Sequence, residues 1–202
     1  MPRAPTLTLT LTLTLALTGL ALCVGLARPV AAQDRPDWSF AIHGGAGVIE
    51  RTSLSPDQDA AYRAALKAAL EAGGAVLEAG GSSLEAIEAA IRLMEDDPLF
   101  NAGRGAVFTA EGRNELDAAI MDGNSLNAGA VAGLTTTRHP IAAARAVMDR
   151  SPHVMLVGAG ADRFAASVDL EQVAPSYFFT ERRWRGLESW LRGQNLPIPA
   201  RP

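Results

Sequence analysis

The order of elements along this sequence predicts a layered α+β domain, and three observations carry that prediction. Ser55-Pro56-Asp57-Gln58 and Ser82-Ser83-Leu84-Glu85 are capping boxes that open two successive helices. Gly105 to Thr109 and Leu116 to Met121 flank the turn residues Glu111-Gly112-Arg113-Asn114 and read as a hairpin, with a third strand from Ala128 to Leu134. A helix, a short strand and a last helix then follow, an order that favours segregated layers over an alternating βαβ sheet.

The elements follow in turn. Trp38 to Ile42 reads as a short strand entering His43-Gly44-Gly45-Ala46-Gly47, whose glycines imply a tight turn or a close backbone approach. In the first helix Ser55 is the N-cap and Pro56 the first helical residue, and Tyr62, Leu66 and Leu70 recur on one face. Gly80-Gly81 breaks it. The second helix presents Leu84, Ile87, Ile91 and Met94 until Asp96-Asp97-Pro98, and the two are expected to pack as an antiparallel pair. Asp122-Gly123-Asn124 turns into the third strand, whose small residues, Ala128 to Gly133, make sense only under a closely packed layer. His139-Pro140 opens a helix carrying Ile141, Arg145 and Met148; Val154 to Val157 is a short buried strand entering Gly158-Ala159-Gly160; the helix after Thr180 buries Trp184, Leu187 and Leu191.

Residues 1–32 have the marks of a secretory signal peptide: Arg3, an apolar stretch from Leu15 to Leu26, and small residues placed for cleavage after Ala32. The apolar stretch is shorter than the roughly twenty residues of a membrane span. Lipidation at Cys23 is disfavoured by the bulky Leu22 before it, and residues 33–202, the expected mature domain, contain no cysteine. Residues 1–32 hold two arginines and no acid, so the formal charge of -4 becomes about -6 without them. An acidic surface excludes nucleic acid and anionic membrane as expected partners, and a periplasmic or secreted location follows from the leader.

His43-Gly44-Gly45 resembles the oxyanion loop of α/β-hydrolase esterases, but that chemistry needs a G-x-S-x-G elbow, which no serine here has. Gly158-Ala159-Gly160 begins like a dinucleotide fingerprint, yet Arg163 stands where the third glycine would be. His43, His139 and His153 lack partners at metal-ligand spacing; capping or solvent exposure accounts for His139 and His153. Asp117 and Asp122, five apart on an extended segment, would point to opposite faces and read as supports of the hairpin. Asn101 is the side chain of greatest interest: its amide could bond a carbonyl or water beside a reacting centre, or close an Asx turn in its own loop.

The block Leu99-Phe100-Asn101-Ala102-Gly103-Arg104-Gly105-Ala106-Val107-Phe108, with Glu115 to Gly123 after it and Ala41 to Gly47 before it, resembles the threonine-type (plant-type) L-asparaginase and isoaspartyl peptidase family. The resemblance covers Phe40 to about Trp184. It implies the amino-terminal half of an αββα sandwich of the N-terminal-nucleophile hydrolases. It also implies a precursor that cuts itself before a threonine, whose hydroxyl then attacks with its own α-amine as base. That threonine is expected beyond Pro202, so this chain would be the α part and inactive alone.

Asn101 matches the asparagine that lies beside the nucleophile and helps order the site; His43, Gly44 and Gly45 match the glycine-rich loop near it. Glu95 to Gly103 matches a loop that binds sodium, with main-chain carbonyls of Met94, Glu95, Asp97, Phe100, Ala102 and Arg104 as the implied ligands. A structural sodium is the one candidate ion, and no organic cofactor is implied. The implied partners are a β subunit from the same precursor, a small amide or β-aspartyl peptide as substrate, and a second αβ heterodimer. The alternative is a non-enzymatic truncated remnant, or a pairing subunit for a separately encoded β chain.

Overall fold

The computed structural model describes residues 37–45 and 54–202. The chain divides into two units, Met1–Ser39 and Phe40–Pro202, and the elements below belong to the second. The expected signal peptide, and Ala46 and Gly47 of the glycine loop, lie outside the described residues.

Helices α1 (Pro56–Glu78) and α2 (Ser83–Asp96) begin at the two capping boxes. Ser55 Oγ accepts from the Gln58 N–H while Gln58 Oε1 accepts from the Ser55 N–H, and Ser82 and Glu85 repeat the exchange. The helices pack on each other, but along a seam other than the expected one. Ala69 and Gly73 are buried, whereas Leu70, one residue round the helix, is 40% exposed. A Cβ at Gly73 would overlap the Phe40 ring and sit 3.0 Å from the Ala86 carbonyl, so the two backbones approach where side chains are smallest. Phe40 thus lies on the helix pair, and residues 38–42 form no strand.

The sheet has the order β1-β2-β3, with β1 (Leu116–Met121) antiparallel to β2 (Ala128–Leu134) and β2 parallel to β3 (Met155–Val157). Helix α3 (Pro140–Arg150) connects the parallel pair, so one βαβ unit stands inside what the sequence presented as segregated layers. Between Leu116↔Leu134 and Ala118↔Val131 the register slips by one residue, and Gly133 takes φ +65° in the extra position. The Gly133 N–H is met by Asp117 Oδ1 at 2.8 Å. At the opposite end Asp122 receives the Asn124 and Ser125 N–H groups, so both acids support the hairpin as read.

Residues 105–109 depart from the expected strand. Gly103–Gly105 forms a single 3-10 turn, and only Phe108 bridges to Asn114. Side chains take the backbone groups that a ladder would have used: Asn114 Nδ2 donates to the carbonyls of Ala106 and Val107, and Asn101 Oδ1 accepts from the Val107 N–H.

The main core lies between one sheet face and α3, with Leu116, Ile120, Val131, Leu134, Ile141 and Val147 at its centre. Helices α4 (Gly158–Ser167) and α5 (Glu181–Gly193) complete the unit. Trp184, Leu187 and Leu191 of α5 are buried as expected, with Trp184 edge-on to Phe108 at 5.2 Å. On the other sheet face the paired residues Ala119↔Ala130↔Met155 and Ala132↔Val157 form an apolar surface. Met155 is 51% and Val157 61% exposed, so β3 is not the buried strand expected. No described helix is long and apolar enough to cross a membrane.

Gly129 is where β2 meets α3 most closely, since a Cβ there would overlap the Ala144 carbonyl and lie 2.6 Å from the Met148 nitrogen. Gly129→Ala is expected to destabilise the chain by roughly 1–3 kcal/mol through overpacking, despite the backbone entropy it gains. Gly123→Ala, with no atom within 4 Å, is expected to stay within about 0.5 kcal/mol. Urea unfolding of the two variants measures both.

Candidate functional site

The segment from Met94 to Val107 is built around main-chain carbonyls. Pro98 has no N–H to give the Met94 carbonyl one turn back, and the Leu99 N–H goes to Asp97 Oδ1 at 2.9 Å, not to Glu95. The chain then turns back on the helix end. Gly103, at φ +44°, leaves no room for a Cβ beside the Glu95 carbonyl, and Gly105 leaves none beside that of Phe100. The Asp97 and Ala102 carbonyls accept from the N–H groups of Phe100 and Gly105. Two arginines of α5 hold the outside: Arg182 Nη2 donates to the carbonyls of Pro98 at 2.8 Å and Leu99 at 2.9 Å, and Arg183 Nε to that of Gly105 at 2.6 Å.

Asn101 is exposed on this loop, and its Oδ1 accepts from the Val107 N–H at 2.9 Å. It lines a groove of about 220 Å³ together with Glu95, Gly103, Val107, Glu115 and Asp117. His43 is exposed too, with Nδ1 accepting from the Gly45 N–H at 3.2 Å; Gly45 has φ +125°, and Gly44 rests against Leu66. His43 lines an apolar cleft of about 310 Å³ with Ile42, Ile91 and Met94. Ala102 lines both spaces, so the two sequence motifs meet at this residue.

Three acids that carry much of the polar structure were not singled out from the sequence for their side chains. Glu95 is 2% exposed; Oε1 accepts from the Ile141 N–H at 2.9 Å, while Oε2 has no partner among the described residues. Burial pushes its carboxyl up to about 8 against the opposing Ile141 bond, so it caps α3 as a neutral acid near pH 7. The signal was its spacing, on the apolar face of α2 at i+4 from Ile91.

Asp96 accepts from Tyr177 Oη at 2.8 Å and from Arg138 Nε at 3.1 Å. Burial raises the Asp96 carboxyl, but these donors and His139 outweigh it and hold the group below its usual range. His139 itself is buried and makes no cap bond, contrary to the reading of it as capping or exposed; its Nε2 lies 3.2 Å from Asp96 Oδ1 but off the line of a hydrogen bond. Burial lowers its pKa against the pull of Asp96.

Asp162 collects the backbone N–H groups of Thr135, Thr136 and Thr137 and the hydroxyls of Thr135 and Thr137. Burial works against its charge, yet these donors keep its carboxyl below the ordinary value. The threonine run after β2 was the available signal. Gly158 stands at the start of α4 after the βαβ unit, but the absent third glycine leaves no phosphate cradle to argue from. Among the described residues no His, Cys, Asp or Glu cluster could hold a metal ion through side chains.

A lowered carboxylate pKa stabilises the fold above the unfolded value near ~3.9 and loses that contribution as pH falls through the folded value. Asp162→Asn replaces an acceptor with a donor facing donors, and is expected to cost roughly 1–3 kcal/mol at pH 7. It should also flatten the fall in stability below about pH 4. Urea unfolding of both proteins across that range checks the magnitude and the sign.

The geometry sits in a sequence with clear relatives. The profile of the asparaginase family matches residues 36–197. An isoaspartyl peptidase of Salmonella typhimurium is 53% identical over 148 residues, 73% of this chain and 47% of that protein. The isoaspartyl peptidase of Escherichia coli is 52% identical over the same length, 46% of that protein, and a putative isoaspartyl peptidase/L-asparaginase of Dictyostelium discoideum 52% over 143 residues, 71% of this chain and 41% of that protein. The chain therefore spans about half the length of the curated relatives it matches, within their amino-terminal part. From the family match and these identities, the chain belongs to the asparaginase family of hydrolases.

Proposed function

We propose that this chain is the α portion of an isoaspartyl peptidase/L-asparaginase. Its work is to present Asn101 and the carbonyl loop to a nucleophilic threonine in the part of the relatives that it does not span. The observation that carries the reading is the Asn101 loop itself, in a chain 52–53% identical to isoaspartyl peptidases over 148 aligned residues.

In the reaction the threonine hydroxyl adds to the side-chain carbonyl of asparagine or of a β-aspartyl peptide, and its α-amine takes the proton. Ammonia or a shortened peptide leaves with that proton, and water then releases aspartate. Asn101 spends its Oδ1 on Val107, and among the described residues its Nδ2 meets no acceptor, which suits an amide donor toward the reacting centre. Sodium held by the carbonyls of Met94, Glu95, Asp97, Phe100, Ala102 and Arg104 would neutralise converging dipoles and fix the loop; the missing N–H partners of Met94 and Glu95 and the glycines at 103 and 105 suit such an ion.

The apolar sheet face at Ala130, Met155 and Val157 suits a second sheet, as an αββα sandwich requires, with a further copy of the αβ unit completing a dimer of heterodimers. Residues 1–32 would direct export to the periplasm or beyond, with cleavage after Ala32.

Co-expression with the carboxy-terminal half of the E. coli relative tests the reading. The complex is expected to release aspartate from a β-aspartyl dipeptide where neither half does alone; hydrolysis by the isolated chain, or an inactive complex, contradicts it. Asn101→Asp keeps the acceptor for Val107 and loses the amide donor, so kcat/KM of the complex is expected to fall about 100-fold or more. Thermal unfolding of that variant should change little. Val157→Lys is expected to alter the stability of the isolated chain by less than about 0.5 kcal/mol and to abolish pairing with the other half, read by size-exclusion chromatography.

A further inference from the structure

We propose that Arg182 and Arg183 sort the carbonyls of the loop from Met94 to Gly105, and so set how tightly that loop takes a monovalent cation. The inference rests on the reading of this loop as a cation site.

The arginines take one set of carbonyls and leave another. Arg182 takes those of Pro98 and Leu99, and Arg183 that of Gly105. None of these belongs to the six carried over as ion ligands; they occupy alternate stretches of the same turn. Of those six, the Asp97 and Ala102 carbonyls also accept from the Phe100 and Gly105 N–H groups, which leaves each a second lone pair for an ion. A guanidinium has donors in a fixed fork and no acceptor, which suits it to pull main-chain oxygens outward and hold them there. Tyr62 locks the arrangement, since its Oη accepts from Arg182 Nη1 at 3.0 Å and donates to the Leu99 carbonyl at 3.4 Å. The Glu95 and Phe100 carbonyls, which the arginines do not take, lie against Gly103 and Gly105.

Charge alone predicts the opposite effect. Two guanidinium groups beside the loop repel a cation, and their removal would then tighten its binding. Preorganisation predicts that their removal weakens it. The sign of the change decides between the two.

The experiment is thermal unfolding of the purified chain at one protein concentration, titrated with NaCl against choline chloride at constant ionic strength. The wild-type midpoint is expected to rise with sodium specifically, as for any ligand of the folded state. Arg183→Met and Arg182→Met, which keep the apolar stem, are expected to raise the sodium concentration for half the rise by about tenfold, the ratio that corresponds to one hydrogen bond to a charged group. Arg182→Lys and Arg183→Lys retain the charge and lose the fork, serve if the methionine variants fail to fold, and are expected to weaken the response in the same direction. Arg185→Met, on the same helix but paired with the exposed Glu181, is expected to leave it unchanged. A sodium response that is absent in the wild type, unchanged in the variants or tighter in them would overturn the proposal. Dipeptide hydrolysis by the complemented complex is scored separately, so an active complex with an unaltered sodium response would sink this inference and leave the hydrolase reading in place.

Discussion

A helix that ends against a proline leaves its last carbonyls without donors, and much of this structure answers that constraint. Pro98 denies an N–H to Met94, and Asp97 diverts the Leu99 N–H away from Glu95. The chain responds by folding back through Gly103 and Gly105, where only hydrogen fits in place of a side chain. The same reversal lifts Asn101 to the surface and aims Val107 at its side chain. Helix α5 then docks with Trp184 on Phe108 and delivers Arg182 and Arg183 to the outer carbonyls. The loop is thereby tied to the smaller apolar cluster, and its geometry depends on elements some eighty residues downstream.

Three acids, two at the end of α2 and one within α4, tie distant segments together around the larger core. Glu95 reaches the N-terminus of α3, Asp96 gathers Tyr177 and Arg138, and Asp162 of α4 gathers the threonines that follow β2. Each connects segments far apart in sequence. Glu95 and Asp162 are buried and satisfy backbone or hydroxyl donors away from water, so removal of one partner there costs more than the bond itself. Two of these contacts hold the β2–α3 connection of the βαβ unit, one at Thr135 just after β2 and one at Ile141 in the first turn of α3.

Local chemistry was legible in the sequence wherever a few adjacent residues decide the outcome. The capping boxes at Ser55 and Ser82, the turn at Asp122 and the apolar face of α5 are of that kind. The departures come from distant partners. Gly105 to Thr109 is apolar enough for a strand, yet Asn114 and Asn101 consume its backbone groups. Leu70 is helical and apolar, yet the seam runs through Ala69 and Gly73 because Phe40 packs there. His139 stands at the helix boundary as read, yet it is buried and makes no cap bond, with Asp96 of another helix 3.2 Å from its ring. For the site, Asn101 and the glycines stood out as a motif, but nothing in the spacing of Arg182 and Arg183 announces that they hold the loop by its carbonyls.

Amide hydrogen exchange on the folded chain tests the central claim, that this loop is a fixed structure and not an excursion between elements. The Leu99, Gly105 and Val107 amides are each bonded within it, to Asp97, Ala102 and Asn101. They are expected to exchange slowly, with protection approaching that of the β1 and β2 amides. Exchange of all three at the rate of an unfolded peptide, while the sheet stays protected, would contradict the account.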